Sequence, residues 1–366
     1  MKTEDYANSG ILDIKEYVPG KSKKQVEREI SVDEIHKMAS NENPRGASTK
    51  ARALYRELEK SLHIYPEIYN PELMEKFASK LDLLPENITT GNGGDGVIYN
   101  SGMAFIEQGD ETLIPEITFP VYETITRIMR GVPLFTKMKG TGIDLADIWS
   151  KITDKTKLIY ICNPNNPTGE ALPVDELEDF IKKVPERIII FLDEAYIEFT
   201  EEKYKPSSLK MIRDGMKNLF ILRTFSKIYG LAGVRMGYGI SSPALISLVQ
   251  RVKPPFDVSI IAENLALEAL DDDDFFNTTI RETAEEKSYY YQELDDMGLG
   301  YYKSQTNYIL IDTGREGKEV ANRLAEKGII VRPAGSYSFP SCIRITIGRR
   351  RENELFFRYF RQILGK

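Results

Sequence analysis

Between Thr89 and Ile240 short apolar, β-branched runs alternate with longer stretches of helical periodicity. The runs at 112–114, 157–161, 188–192, 219–222 and 238–240 have strand length, and their alternation with helical patterns predicts a mostly parallel sheet covered by helices. Several of these runs end directly in clusters of Gly, Pro, Asn or Asp. In open α/β sheets ligands bind beyond the carboxyl ends of the strands, so those clusters are where chemistry is expected. After Lys253-Pro254-Pro255 the pattern becomes helix first, at 260–270 and 277–297, followed by strand-like pieces at 307–311, 329–332 and 342–347 and a last helix at 352–364. This predicts a smaller α+β domain. The residues before Asn41 carry few apolar anchors and are expected to form an arm lying on another domain or subunit. The division that follows is an arm at 1–40, a large domain at 41–255 and a small domain at 256–366, with no internal repeat or low-complexity linker to mark the seams.

Length supports two packed domains, since 366 residues exceed what a single core usually holds. With 41% hydrophobic and 29% charged residues the chain is globular, which excludes wholesale disorder and fibrous repeats. Its 49 Lys and Arg stand against 56 Asp and Glu, a net charge of −7, so there is no electrostatic reason to expect nucleic acid as the main partner. Cys162 and Cys342 are too few for a disulfide framework and sit in apolar runs, as buried free thiols would. No stretch approaches the roughly 20 apolar residues of a membrane span, and the first ten residues are acidic and polar rather than signal-like. A cytoplasmic enzyme without a membrane partner is expected. The run Asp271 to Asp274 lies between two helical patterns and is expected to cap the second in solvent; no metal is called for.

Four of the clusters carry chemistry. Thr224-Phe225-Ser226-Lys227 begins at a strand end and is followed by Gly230-Leu231-Ala232-Gly233-Val234-Arg235. An amine there, with hydroxyls before it and an arginine eight residues on, combines a nucleophile with an anion clamp. A lysine that attacks a carbonyl must be deprotonated, and burial or nearby cations lower its pKa. Phe191-Leu192-Asp193-Glu194-Ala195-Tyr196 puts an acid at the end of an apolar run, where a buried carboxylate needs a cationic partner such as a pyridinium nitrogen. Asn163-Pro164-Asn165-Asn166-Pro167-Thr168-Gly169 is a loop stiffened by two prolines that can hold the Asn166 amide against a ligand. Gly91-Asn92-Gly93-Gly94-Asp95-Gly96 precedes a helix-compatible run, and free N–H groups at a helix start favour a phosphate. It matches neither the Walker loop nor the dinucleotide glycine pattern.

Together these segments resemble the fold-type-I pyridoxal-phosphate enzymes, in the class I/II aminotransferase branch, over almost the whole chain. The resemblance implies an α/β fold-type-I architecture, a large domain with a mostly parallel sheet plus a smaller α+β C-terminal domain. It also implies pyridoxal 5′-phosphate joined to Lys227, Asp193 on its ring nitrogen, Tyr196 near its ring oxygen, and Asn166 as a further cofactor contact. Its phosphate would be held by Gly94, Asp95, Thr224, Ser226 and Arg235, and its ring stacked on Phe119. Tyr17-Val18-Pro19-Gly20-Lys21, Ala39-Ser40-Asn41-Glu42-Asn43-Pro44, Asp193 to Phe199, and Ile343-Arg344-Ile345-Thr346-Ile347-Gly348 narrow the resemblance to the histidinol-phosphate aminotransferase family. In that family Tyr65, within Ile64-Tyr65-Pro66, reaches the phosphate of the neighbouring subunit, which implies a homodimer with shared sites. Two positions depart from the family pattern, Gly96 in the phosphate loop and Arg349 after the Ile-Gly pair. The first is expected to loosen the phosphate cup and the second to alter the substrate mouth.

The activity implied is amino transfer from L-histidinol phosphate to 2-oxoglutarate in histidine biosynthesis. Arg344 is the candidate for the anionic group of the substrates, because a guanidinium pairs with carboxylate or phosphate through two parallel hydrogen bonds. Arg332 is a second anion contact, and Tyr17 and Asn43 are further candidates for the substrate wall. The sequence leaves open a broad aromatic aminotransferase, a threonine-phosphate decarboxylase on the same architecture, and a non-enzymatic ligand-binding relative.

Overall fold

The computed structural model describes residues 6–14, 16, 23–29 and 34–366. A seven-stranded sheet runs in the order Ile88–Asn92, Met236–Ser241, Leu219–Thr224, Ile189–Asp193, Thr156–Cys162, Glu111–Pro115 and Val132–Thr136. All neighbours are parallel except Met236–Ser241, which is antiparallel to both of its partners. The central strands are apolar at consecutive positions because both faces are covered. In Thr156–Cys162, Ile159 and Ile161 enter the core on one side while Leu158, Tyr160 and Cys162 enter the other. Ile190 and Leu192 likewise oppose Ile189 and Phe191 across the next strand.

The second sheet is antiparallel, in the order Tyr301–Tyr302, Tyr308–Asp312, Cys342–Thr346 and Arg332–Pro333. Its strands alternate. Ile343, Ile345 and Ile347 join a core with Tyr290 and Leu294 of the helix Asp273–Asp296 and with Phe356, Phe357, Phe360 and Ile363 of the helix Arg350–Leu364. Each such aromatic or branched side chain contributes roughly 1.5–3 kcal/mol on burial. The intervening Arg344 and Thr346 therefore stand on the opposite face, which is what brings a charged side chain to the site.

Several expected boundaries move. The helix expected at 277–297 starts earlier, at Asp273, and its cap Asp272 is buried, accepting from Ser48 Oγ at 2.6 Å and from the Phe275 N–H at 3.4 Å. The acidic run thus caps the helix, but its capping residue faces protein and not solvent. The strand expected at 329–332 is split: Ile329–Ile330 pairs in parallel with His36–Lys37, and Arg332–Pro333 pairs with Cys342–Thr346. The described part of the arm touches two places: Asn8 donates to Ile128 O at 3.3 Å and accepts from Arg130 Nε at 3.1 Å, while Val26, Ile35 and Ala39 bury against Ile330. Cys162 and Cys342 are both buried free thiols. Among the described residues no helix is long and apolar enough to cross a membrane, and no three His, Cys, Asp or Glu side chains gather to hold a metal ion.

Candidate functional site

Strand register sets the site. Cys162 stands opposite Asp193, Asp193 opposite Leu222, and Thr224 opposite Gly237, so the loops after Thr156–Cys162, Ile189–Asp193 and Leu219–Thr224 open along one edge. They surround a cavity of about 440 Å³. Its wall includes Gly94, Asp95, Phe119, Asn166, Asp193, Tyr196, Thr224, Ser226, Lys227 and Arg235, together with Arg332 and Arg344 from the smaller sheet.

The turn that carries Lys227 is fixed by its backbone. Phe225 N–H donates to Met236 O at 3.0 Å, Leu231 N–H to Phe225 O at 3.0 Å, and Gly230 N–H to Lys227 O at 3.2 Å. The Asn43 amide braces the same segment from outside, donating to Lys227 O at 3.2 Å and Ile228 O at 2.9 Å. Asn43 is therefore not among the residues lining the cavity; Asn41, two positions earlier, is. Lys227 Nζ donates to Ser40 O at 3.3 Å. Burial first, then the charge of Arg344 opposed by Glu42, with Arg235 adding to it, holds the amine down at about 8.

Asp193 is only 4% exposed. It accepts from Tyr122 OH at 2.6 Å and from the Ala195 N–H at 2.9 Å, two neutral donors, and burial pushes its carboxyl up to about 6 against their pull. Its neighbour Glu194, fully buried, is treated differently: Arg223 donates to it through Nε at 2.9 Å and Nη2 at 2.7 Å, and Ser208 Oγ at 2.6 Å. Among the described residues, Glu194 has a cationic partner and Asp193 has none.

At the helix Gly93–Phe105, Gly94 and Asp95 of the first turn line the cavity, and the Asn92 side chain makes no capping bond. Gly93 has φ +74°, and a Cβ there would lie 2.4 Å from Arg235 Nη2, so glycine lets the guanidinium lie against the helix start. Arg235 donates to Ala232 O at 3.1 Å and to Asp95 Oδ2 at 3.2 Å. Thr224 Oγ1 donates to Ser226 Oγ at 3.0 Å beside it. Gly96 lies in the first helical turn, where a Cβ would press at 3.3 Å on Asn92 Cβ and Gly91 C. A larger residue there would crowd the loop, so the departure at 96 is matched by close packing and not by looseness.

The opposite wall is built by Arg344, only 7% exposed, which donates through Nη1 to Asn166 Oδ1 and through Nη2 to Ala39 O at 3.0 Å. Its guanidinium lies over the Tyr308 ring at 5.1 Å, its buried Nε has no acceptor, and no carboxylate among the described residues pairs with it. Arg332 is its direct cross-strand partner. Lys37 and Glu42 form a 2.7 Å ion pair on the same wall.

Tyr65 and Arg349, like Asn43, lie away from the cavity lining. Tyr65 is 76% exposed and stacks on Phe256 at 4.7 Å, outside the residues lining the cavity. Tyr17 lies outside the described residues. Arg349 caps the last helix, its N–H donating to Glu352 Oε2 at 2.9 Å, and does not line the cavity, so the expected effect on the substrate mouth has no basis in its position. Sequence reasoning missed Tyr122, the phenol that holds Asp193. Its only local signal is its place three residues after Phe119, within one more aromatic run of a chain with 20 tyrosines.

Residues 33–358 match the family model described as "Aminotransferase class I and II". The chain is 39% identical over 365 residues to a histidinol-phosphate aminotransferase from Moorella thermoacetica, covering 100% of this chain and 95% of that protein. It is 38% identical over 354 residues to one from Caldicellulosiruptor saccharolyticus, covering 97% and 99%. Among solved structures it is similar to histidinol-phosphate aminotransferase from Sinorhizobium meliloti in complex with pyridoxal-5′-phosphate, with a TM-score of 0.90 and 25% identity over 98% of each chain. By this match the chain belongs to the class I and II aminotransferases, and within them to the histidinol-phosphate aminotransferase family.

Proposed function

We propose that the chain transfers an amino group from L-histidinol phosphate to 2-oxoglutarate, giving imidazole-acetol phosphate and L-glutamate, with pyridoxal 5′-phosphate in the cavity. The observation that carries this reading is that one cavity holds both an amine brought down to about 8 and a buried carboxylate with no cation of its own. The donor set fits the cofactor. An anion is matched by the N–H groups of Gly94 and Asp95, the hydroxyls of Thr224 and Ser226, and Arg235. A protonated ring nitrogen is what Asp193 lacks, and Phe119 offers a flat apolar wall. Arg344 occupies Asn166 Oδ1, which leaves the Asn166 Nδ2 donor for the ring oxygen beside Tyr196.

Pyridoxal phosphate, when bound, supplies an aldehyde for amines and an electron sink for the bonds at the donor's α-carbon. Lys227 Nζ is the group that would hold the cofactor's aldehyde carbon, and the free amine would take the proton from the substrate α-carbon as general base. An amine near 8 suits that work, because it is neutral in a useful fraction at working pH and still basic enough to accept the proton. Arg344, with Arg332 beside it, holds the phosphate of the amino donor and, in the second half of the cycle, a carboxylate of the acceptor. The working unit in this reading is a homodimer in the cytoplasm, in which Tyr65 reaches the partner's site. Tyr65 stacks on Phe256, and Tyr55, Leu62, Ile64 and Ile68 are likewise exposed, apolar side chains that a second copy would cover.

A substrate panel tests the assignment. Histidinol phosphate is expected to exceed phenylalanine, tyrosine and threonine phosphate in kcat/KM by about tenfold or more. A faster reaction with phenylalanine would reassign the chain as an aromatic aminotransferase, and carbon dioxide release without a 2-oxo acid would reject transamination. Borohydride is expected to bleach the purified holoenzyme and leave the reduced adduct on Lys227 alone.

A further inference from the structure

Four hydrogen bonds meet at Asn41, a residue 2% exposed whose backbone lies in the left-handed region at φ 57°. Its Nδ2 donates to Tyr196 OH at 2.9 Å, and its N–H donates to Thr346 Oγ1 at 2.9 Å. The Thr346 hydroxyl in turn donates to Asn41 Oδ1 at 3.4 Å, and Asn307 Nδ2 donates to Asn41 O at 3.0 Å. Asn41 therefore joins the loop after Ile189–Asp193 to the strand Cys342–Thr346, two residues beyond Arg344. It also lines the cavity.

A phenol oxygen has one proton to give and lone pairs to receive. With the Asn41 amide donating into it, the Tyr196 hydroxyl is set as a donor, and the direction left for its proton is the cavity. The ring itself is held edge-on to Tyr308, with centroids 5.3 Å apart at 82°. The groups facing the phenol are Arg344, Asp193, Cys162 and Lys227, whose Nζ lies 5.7 Å from the ring centroid. Burial raises the Tyr196 phenol, while Arg344 and the Asn41 amide pull it back down, so both act to strengthen it as a donor.

We propose that Asn41 is a positioning residue, whose amide fixes the Tyr196 hydroxyl as a donor into the cavity and ties that orientation to the strand bearing Arg344. The inference rests on the preceding reading, in which Tyr196 faces the ring oxygen of the cofactor. Asn41 itself touches no reacting atom; it acts through Tyr196. A donor to an anionic ring oxygen favours the deprotonated form of the lysine-bound chromophore, so weakening that donor raises the pH at which the colour changes.

The experiment is a visible-absorbance titration of the holoenzyme and of four variants: Tyr196→Phe, Asn41→Gly, Asn41→Asp and the double variant Asn41→Gly/Tyr196→Phe. Glycine keeps the left-handed backbone unstrained while deleting the amide. Aspartate keeps the shape but offers an acceptor, which draws the Tyr196 proton to itself, and it keeps the test readable if the glycine variant releases the cofactor. Expected is an upward shift of the midpoint by about half a pH unit or more in Asn41→Gly. Asn41→Asp should shift as far as Tyr196→Phe, and the glycine change should add less than about 0.2 unit in the Tyr196→Phe background. An unmoved midpoint in both Asn41 variants, or an equal shift with and without the tyrosine hydroxyl, would overturn the proposal. If Tyr196→Phe alone leaves the midpoint in place, the placement of Tyr196 against the cofactor fails first and takes the inference with it.

Discussion

On the cavity wall formed by the large sheet, Asp193 ends a strand, and Lys227 and Arg235 sit in the segment between two strands, whose backbone is pinned from several sides. On the wall supplied by Cys342–Thr346, Arg344 stands in plain strand conformation with Arg332 opposite it. Burial on the first wall holds an amine and a carboxylate in their less charged ranges, the carboxylate against the pull of its own hydrogen bonds. The second keeps a full guanidinium buried against an amide, a carbonyl and a tyrosine face, with an N–H to spare. Chemistry that moves protons needs groups poised near neutrality, whereas recognition of an anion needs a charge that never titrates. The division predicts that changes on the first wall fall on turnover and changes on the second fall on binding.

Asp193→Asn is expected to give the largest effect, a fall in kcat of about a hundredfold or more with KM changed little, measured with the phosphate substrate at saturating acceptor. The same change should act in the opposite sense on the cofactor-free protein. In the fold the Asp193 carboxyl titrates near 6, above its unfolded value, so the folded chain binds the extra proton between about pH 4 and 6. That group therefore contributes stability at acid pH that is lost as pH rises through 6, on the order of 2–3 kcal/mol. Thermal melting of the cofactor-free protein from about pH 4 to 7 checks this: the variant should lack that portion of the decline. A variant that melts with the unchanged pH slope would remove Asp193 as the unpaired buried acid.

Lys227 reports on both walls at once. An amine held near 8 rather than its usual range has a neutral fraction at pH 7 greater by about a hundredfold, so acylation of the cofactor-free protein should mark Lys227 ahead of surface lysines. Its labelling rate should rise with pH through about 8 and level off above 9, read by mass spectrometry of the peptide. Arg344 is the largest charge effect on this amine, so Arg344→Gln should move the midpoint upward. A midpoint indifferent to Arg344 would mean that the two walls are electrically independent.

The large-sheet wall was also the more legible of the two from sequence, and for a physical reason. Its residues end or follow strands at short, fixed offsets, so Asp193 announces itself as an acid closing an apolar run, and Lys227 and Asn166 in the turn-rich segments after two others. Arg344 was legible too, because the alternation Ile343-Arg344-Ile345 puts a charge on the face away from the apolar core. Contacts made across long stretches of chain left no such trace. Tyr122 bonds a carboxylate 71 residues away. Asn41 bonds a phenol 155 residues on and a threonine 305 residues on. Its neighbour Asn43, of the same type in the same motif, braces backbone instead, and nothing in the local pattern separates the two. Asp272 was read as solvated because a run of four acids is usually exposed; Ser48 and the helix N–H groups satisfy it in the interior.

The guanidinium wall gives the smaller and most discriminating effects. Arg344→Lys keeps the charge but loses the paired donors, so KM for the phosphate substrate should rise about tenfold to a hundredfold while kcat changes little. The bond that orients Asn166 goes with it, so cofactor affinity is the second quantity to measure in this variant. Arg332→Lys should raise the same KM only about two- to fivefold, since Arg332 is a partly exposed strand residue beside the buried one. Comparing the two variants on 2-oxoglutarate sharpens the assignment. If Arg344 serves both anions and Arg332 chiefly the phosphate, the first variant weakens both substrates and the second spares the oxo acid. An Arg332 variant that loses more than the Arg344 variant on either substrate would reverse the order of the two arginines and move the anion site toward the cavity mouth.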